Sequence, residues 1–79
     1  MKDIKEFIIN YIEKKGKLPE GINLDEFNYI ETGYVDSIGI MKFIVEIEKE
    51  FDIEISDDDM ISPEFKTIGG LIGIIKGKV

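Results

Sequence analysis

Gly33-Tyr34-Val35-Asp36-Ser37-Ile38-Gly39 is the stretch on which the reading of this chain turns. Before it, residues 17–36 show no sustained hydrophobic period. Directly after it, Ile40, Phe43, Ile44, Ile47 and Phe51 recur at three-and-four spacing, with Lys42, Glu46, Lys49 and Glu50 mostly on the other side. That pattern predicts an amphipathic helix from about Ser37 to Glu50. Met41, Val45 and Glu48 fall on its flank, where they are available to a partner. Ser37 therefore stands where a polar loop becomes a helix, a position at which serine is a preferred cap. Its hydroxyl lies beside backbone N–H groups that have no partner within the helix and that favour negative charge. A hydroxyl so placed is suited to carry an anionic group.

Upstream, Ile4, Phe7, Ile8, Tyr11 and Ile12 share one helical face, and Lys14-Lys15-Gly16 supplies cations and a glycine stop, which predicts a first helix over residues 3–15. Residues 17–36, with Pro19, Gly21 and Gly33, are expected to form a long ordered loop whose Leu18, Ile22, Leu24, Phe27 and Ile30 pack onto the helices. A loop of that length in a small domain implies a function. Downstream, Ile53-Glu54-Ile55 is a short extended link. Ser56 caps a helix of one or two turns that opens with Asp57-Asp58-Asp59 and runs through Met60 and Ile61. Ser62-Pro63 interrupts it, and Thr67 caps a last helix in which Ile68, Leu71, Ile72 and Ile75 share a face. Four helices, one long loop and no strand periodicity describe a small all-α bundle forming one domain over residues 1–79.

Composition narrows the chemistry. The chain has no Cys, so no disulfide framework and no cysteine-based zinc site is available. It has no His, which removes the usual general base, zinc ligand and pH switch. Seventeen acidic residues against ten Lys, with no Arg, give a net charge of −7, an unfavourable balance for phosphate backbones and a favourable one for a basic protein surface. Charges interleaved through Met1-Lys2-Asp3-Ile4-Lys5-Glu6 do not read as a signal peptide, and the apolar run Ile68 to Ile75 is far short of a membrane span. The expected address is the cytoplasm, with no nucleic acid or membrane partner and a monomeric state.

Gly33 precedes Ser37 by four residues, and aliphatic Ile38 follows it at the head of the helix that runs through Ile47 to Phe51. Phe51-Asp52-Ile53-Glu54-Ile55 then leads to an acidic helix start, and Ser62-Pro63-Glu64-Phe65-Lys66-Thr67-Ile68 leads into the last helix. Together these segments, from about Tyr29 to Ile75, resemble the free-standing members of the acyl carrier protein superfamily. The resemblance implies a four-helix bundle with a long loop between its first and second helices and no enzymatic activity. It implies phosphopantetheine, taken from coenzyme A and joined to Ser37 by a magnesium-dependent phosphopantetheinyl transferase, with acyl or aminoacyl groups held as thioesters on the arm's thiol. By the same resemblance Asp36 would help the transferase dock and orient the serine, and Ile38 would pack beside the arm. Ile44, Ile47, Ile55 and Ile72 would line a cavity for an acyl chain, although by spacing alone they are bundle core.

Met41, Val45 and the acidic residues, Glu48 and Asp57 among them, would meet basic patches on synthases, transferases and activating ligases. Gly39, Lys42 and Lys49 depart from the acidic second helix of the fatty acid carriers. That departure points toward a dedicated partner set, such as an acyl- or amino-acid-activating ligase. An unmodified acidic interaction module is the competing reading. An EF-hand is set aside because Asp57 and Pro63 occupy the positions that need Gly and Glu. A phosphate-binding loop at Gly69-Gly70-Leu71-Ile72-Gly73 is set aside because it lacks the lysine and hydroxyl order. The four-residue repeat Gly69, Gly73, Gly77 is expected to let the last helix approach its neighbours closely.

Overall fold

Each α-helix among the described residues begins where the sequence offers a side-chain oxygen to the first turn. In the computed structural model, which describes residues 3–79, Asp3 Oδ1 accepts from the Glu6 N–H (3.1 Å) at the head of α1, Ile4–Ile12. Asp36 does the same for α2, Ser37–Phe51. Ser56 and Asp59 form a reciprocal capping box for α3, Asp57–Ile61, each side chain bonded to the other's N–H. Thr67 Oγ1 accepts from the Gly70 N–H (3.1 Å) at the head of α4, Ile68–Lys76. For a helix as short as α3, a serine cap worth about 1 kcal/mol decides whether the helix forms.

Two 3-10 turns, Leu24–Glu26 and Pro63–Lys66, join the helices and were not visible in the hydrophobic pattern. The described residues contain no strand, only an isolated antiparallel bridge between Asn28 and Thr67. None of their helices is long and apolar enough to cross a membrane.

The first helix is shorter than its periodicity predicts. After Ile12 the bonds tighten to three-residue spacing, from Lys14 N–H to Tyr11 O, Lys15 N–H to Ile12 O and Gly16 N–H to Glu13 O. The Glu13 carboxylate accepts from the Leu18 N–H (3.4 Å), and the chain turns so that Leu18 reaches the core. At the other end of the bundle α2 stops at Asp52, whose backbone is left-handed (φ 53°).

The core takes Ile8 and Ile12 from α1, Phe43, Ile44 and Ile47 from α2, and Ile68, Leu71, Ile72 and Ile75 from α4, while α3 buries none of its residues. The loop adds Leu18, Tyr29 and Val35. Ile22, expected to pack down, is 43% exposed instead. Tyr29 is completely buried; its phenol donates to the backbone carbonyl of Phe65, and its ring meets the Phe43 ring edge-on at 5.8 Å. Burial pushes that phenol well above its ordinary range, so it stays a neutral donor. Phe43 also stacks on Tyr11 of α1, with centroids 4.4 Å apart.

Close approach to α4 depends on an adjacent glycine pair rather than on the four-residue repeat. A Cβ on Gly70 would overlap the Glu64 carbonyl oxygen and stand 2.6 Å from Glu64 Cα, and one on Gly69 would lie 2.8 Å from the Asp25 carbonyl oxygen. Gly73 faces open space, and Gly77 meets only ordinary contacts. Spacing shows which residues share a face, but not which face meets backbone. Gly70→Ala is therefore expected to destabilise the fold by about 2–3 kcal/mol, whereas Gly73→Ala stabilises it by about 0.8–1 kcal/mol through helix propensity. Urea denaturation of the two variants checks both signs.

Asp59 supplies a pH-dependent tie. Its bond to the Lys78 ammonium (2.8 Å), then those to Ser56, hold its carboxyl down to about 2, against an ordinary 3.8. A carboxyl depressed in the folded state contributes stability that is present above its unfolded pKa and is lost as pH falls through the folded one. Thermal unfolding followed from pH 7 to pH 2 is expected to show a shallower loss between about pH 4 and pH 2 for Asp59→Asn than for the wild type.

Candidate functional site

The approach to Ser37 is fixed from below. Gly33 takes a left-handed backbone (φ 85°), the Val35 N–H donates to Tyr29 O (3.0 Å), and the Val35 side chain is buried. Asp36 is then extended and acts as the cap of α2, with Oδ1 accepting the Gly39 N–H at 2.6 Å. That bond, more than any other influence, holds the Asp36 carboxyl below its ordinary range. Slight desolvation opposes it, and the Lys15 ammonium and the Ile38 N–H add to it. A Cβ at Gly39 would lie only 3.1 Å from Asp36 Oδ1, so the bare glycine lets the carboxylate sit close.

Ser37 is therefore the first residue inside the helix, not its cap. Its side chain is exposed and makes no hydrogen bond among the described residues. The other serines and threonines are all engaged: Thr32 and Ser62 donate to backbone carbonyls, and Ser56 and Thr67 accept from helix N–H groups. Ser37 alone among them has a hydroxyl both exposed and uncommitted, at a helix end whose N–H groups favour an anion.

The remaining expected residues separate into three groups. Ile38, Met41 and Val45 are 73%, 57% and 50% exposed and form an apolar strip along the outside of α2, starting next to Ser37. Ile38 thus belongs to the surface and not to the core. Glu48 is half-buried, and its carboxylate accepts the Ile55 N–H (2.8 Å), holding the link between α2 and α3; Asp57 is exposed at the head of α3. Ile44, Ile47, Ile55 and Ile72 are buried in the core, and Ile72 also borders an open groove between α1 and α4.

One feature near Ser37 was not anticipated. A cavity of about 310 Å³ is walled by Tyr11, Tyr34, Val35, Ile38 and Gly39 and flanked by Lys14, Lys15 and Lys42. Its only trace in the sequence was the pair of departures at Gly39 and Lys42.

A hydroxyl free of structural work at a helix start accords with the comparisons to known proteins. Residues 6–75 match the family described as "Phosphopantetheine attachment site". The chain belongs to this family. Among its curated relatives, an acyl carrier protein homolog of Mycoplasmopsis pulmonis is 34% identical over 77 residues, covering 95% of this chain and 94% of that protein. An acyl carrier protein of Chlamydia trachomatis is 31% identical over 74 residues, with 94% and 88% covered. One of Exiguobacterium sibiricum is 32% identical over 77 residues, with 98% and 90% covered. The chain is a carrier of covalently attached phosphopantetheine and not an enzyme.

The carrier separates helix capping from the serine. Asp36→Ala is expected to lower the melting temperature measurably. Ser37→Ala is expected to leave stability within about 0.5 kcal/mol of the wild type. Paired thermal melts at neutral pH test the distinction.

Proposed function

We propose that Ser37 is the attachment point and that this carrier presents acyl or aminoacyl groups to the enzymes of fatty acid, polyketide or related biosynthesis. The uncommitted, exposed Ser37 hydroxyl at the head of α2 carries this reading. When bound, the prosthetic group supplies the terminal thiol on which the cargo is held as a thioester; this chain has no Cys of its own. The first-turn N–H groups of α2 favour the phosphodiester that joins the arm to Ser37 Oγ. Asp36, ionised and fixed on the Gly39 N–H, keeps the helix start rigid while a phosphopantetheinyl transferase with bound magnesium approaches the hydroxyl.

Partner synthases, transferases and activating ligases would read the strip Ile38, Met41 and Val45, and Asp57, exposed at the head of α3, would offer a contact to a basic group. Glu48 contributes indirectly, by holding the link from α2 to α3 at the Ile55 N–H. A long acyl chain sheltered in the bundle would have to part Ile44, Ile47, Ile55 and Ile72. The working form we propose is a cytoplasmic monomer.

The test is an intact mass spectrum after incubation with coenzyme A, magnesium and a broad-specificity phosphopantetheinyl transferase, beside Ser37→Ala. One added phosphopantetheine on the wild type and none on the variant is the expected result. Addition to both proteins would move the attachment point elsewhere. No addition to folded protein with several transferases would leave an unmodified interaction module as the better account.

A further inference from the structure

The cavity beside Ser37 has the opposite charge to the rest of the molecule. The chain carries −7 overall, yet the charged residues lining this cavity are Lys14, Lys15 and Lys42 against Asp36 alone. Asp36 is already turned to the Gly39 N–H. None of the three lysines forms a salt bridge with a described carboxylate: Lys14 lies over the Tyr11 ring, and Lys15 acts on Asp36 at longer range. Glu46 lines a neighbouring groove with Met41 and Val45, a groove that Lys14 and Lys42 also border. Three ammonium groups that form no salt bridge with a described carboxylate thus border one cavity, in a chain with seventeen carboxylates.

Its walls are set before any ligand arrives. Tyr11 lies flat on Phe43 and beneath the Lys14 ammonium (4.9 Å to the ring centroid), and the Tyr34 hydroxyl donates to Lys17 O (3.0 Å). Val35 is anchored in the core, and Gly39 presents no side chain. At about 310 Å³ the cavity matches the lower end of small-ligand sites, apolar in its walls and charged at its rim. Asp36 and Ile38, the neighbours of Ser37 on either side, both line it, so a flexible arm on the Ser37 hydroxyl reaches it by folding back.

We propose that this cavity receives the outer end of the tethered cargo and that Lys14, Lys15 and Lys42 select acyl groups bearing a free carboxylate. The proposal rests on Ser37 as the attachment point. A neutral acyl group leaves the ammonium groups hydrated and gains only the apolar wall. A cationic aminoacyl group is repelled. A carboxylate gains from three cations at a partly enclosed site, and the gain weakens as salt is added.

The experiment joins three arms to the wild-type chain and to Lys14→Gln/Lys15→Gln/Lys42→Gln: an arm with a free thiol, one ending in an amide-linked butyryl group, and one ending in an amide-linked, carbon-13-labelled succinyl group. Amide NMR spectra report folding and the position of each arm, and the label reports titration of the cargo carboxylate. In the wild type the succinyl arm alone is expected to shift the amides of Tyr34 and Gly39. Its carboxylate should titrate about one unit below its value in the triple variant, with the difference shrinking at high salt.

A carboxylate that titrates alike in both proteins would overturn the proposal. So would equal shifts from the free-thiol arm, which would assign the lysines to the phosphodiester, or from the butyryl arm, which would assign the cavity to apolar cargo. Failure of every arm to attach at Ser37 would overturn the attachment reading itself, and this proposal with it, whereas attachment without the titration shift overturns only the choice of cargo.

Discussion

A single buried tyrosine orders this molecule. Tyr29 sits in the middle of a long connection whose internal bonds mostly join residues two to four apart. Its phenol engages the Phe65 carbonyl while its ring closes on Phe43. The loop is thereby tied at once to α2 and to the 3-10 turn that precedes α4. Its own carbonyl accepts the Val35 N–H, which delivers the chain to Asp36 and Ser37 in one conformation. A buried hydrogen bond of this kind adds little net free energy, but the carbonyl it satisfies would be costly to leave unpaired. That asymmetry makes it a positional constraint more than a source of stability.

The same dependence explains what could and could not be read from the residues. Elements with their own period or cap were legible: α2 from its three-and-four spacing, and α3 and α4 from Ser56 and Thr67. The end of α1 was not, because it is set by Leu18 returning to the core and by Glu13 meeting the Leu18 N–H, neither of which has a local signal. Tyr29 lay in a segment without periodicity, where nothing distinguishes a core residue from an exposed one such as Ile22. The two 3-10 turns are too short to carry a hydrophobic pattern.

At the candidate site, the placement of the serine at the start of α2 was legible through the motif, and the exposure of Met41 and Val45 through the helix face. The capping role of Asp36 competes in sequence with that of Ser37, since either residue type fits the position, and only geometry decides between them. The carboxylate of Glu48 looked like surface charge because its partner, the Ile55 N–H, belongs to a link whose path is not encoded locally. The lysine-flanked cavity draws on α1, the loop and α2 together. Each of those lysines, taken singly, is an ordinary solvated charge.

That Asp36 rather than Ser37 holds the first turn of α2 also bears on how the protein is read by others. The serine hydroxyl contributes no bond to the fold, so exchanging its proton for a bulky ester would remove nothing that folding relies on. With the arm on Ser37, as proposed, loaded and bare chains would present nearly the same backbone, and an enzyme that must tell them apart would have to touch the appendage itself. The scaffold would in this sense be silent about its own state of modification. What it offers is a constant address, and the message is written on the arm.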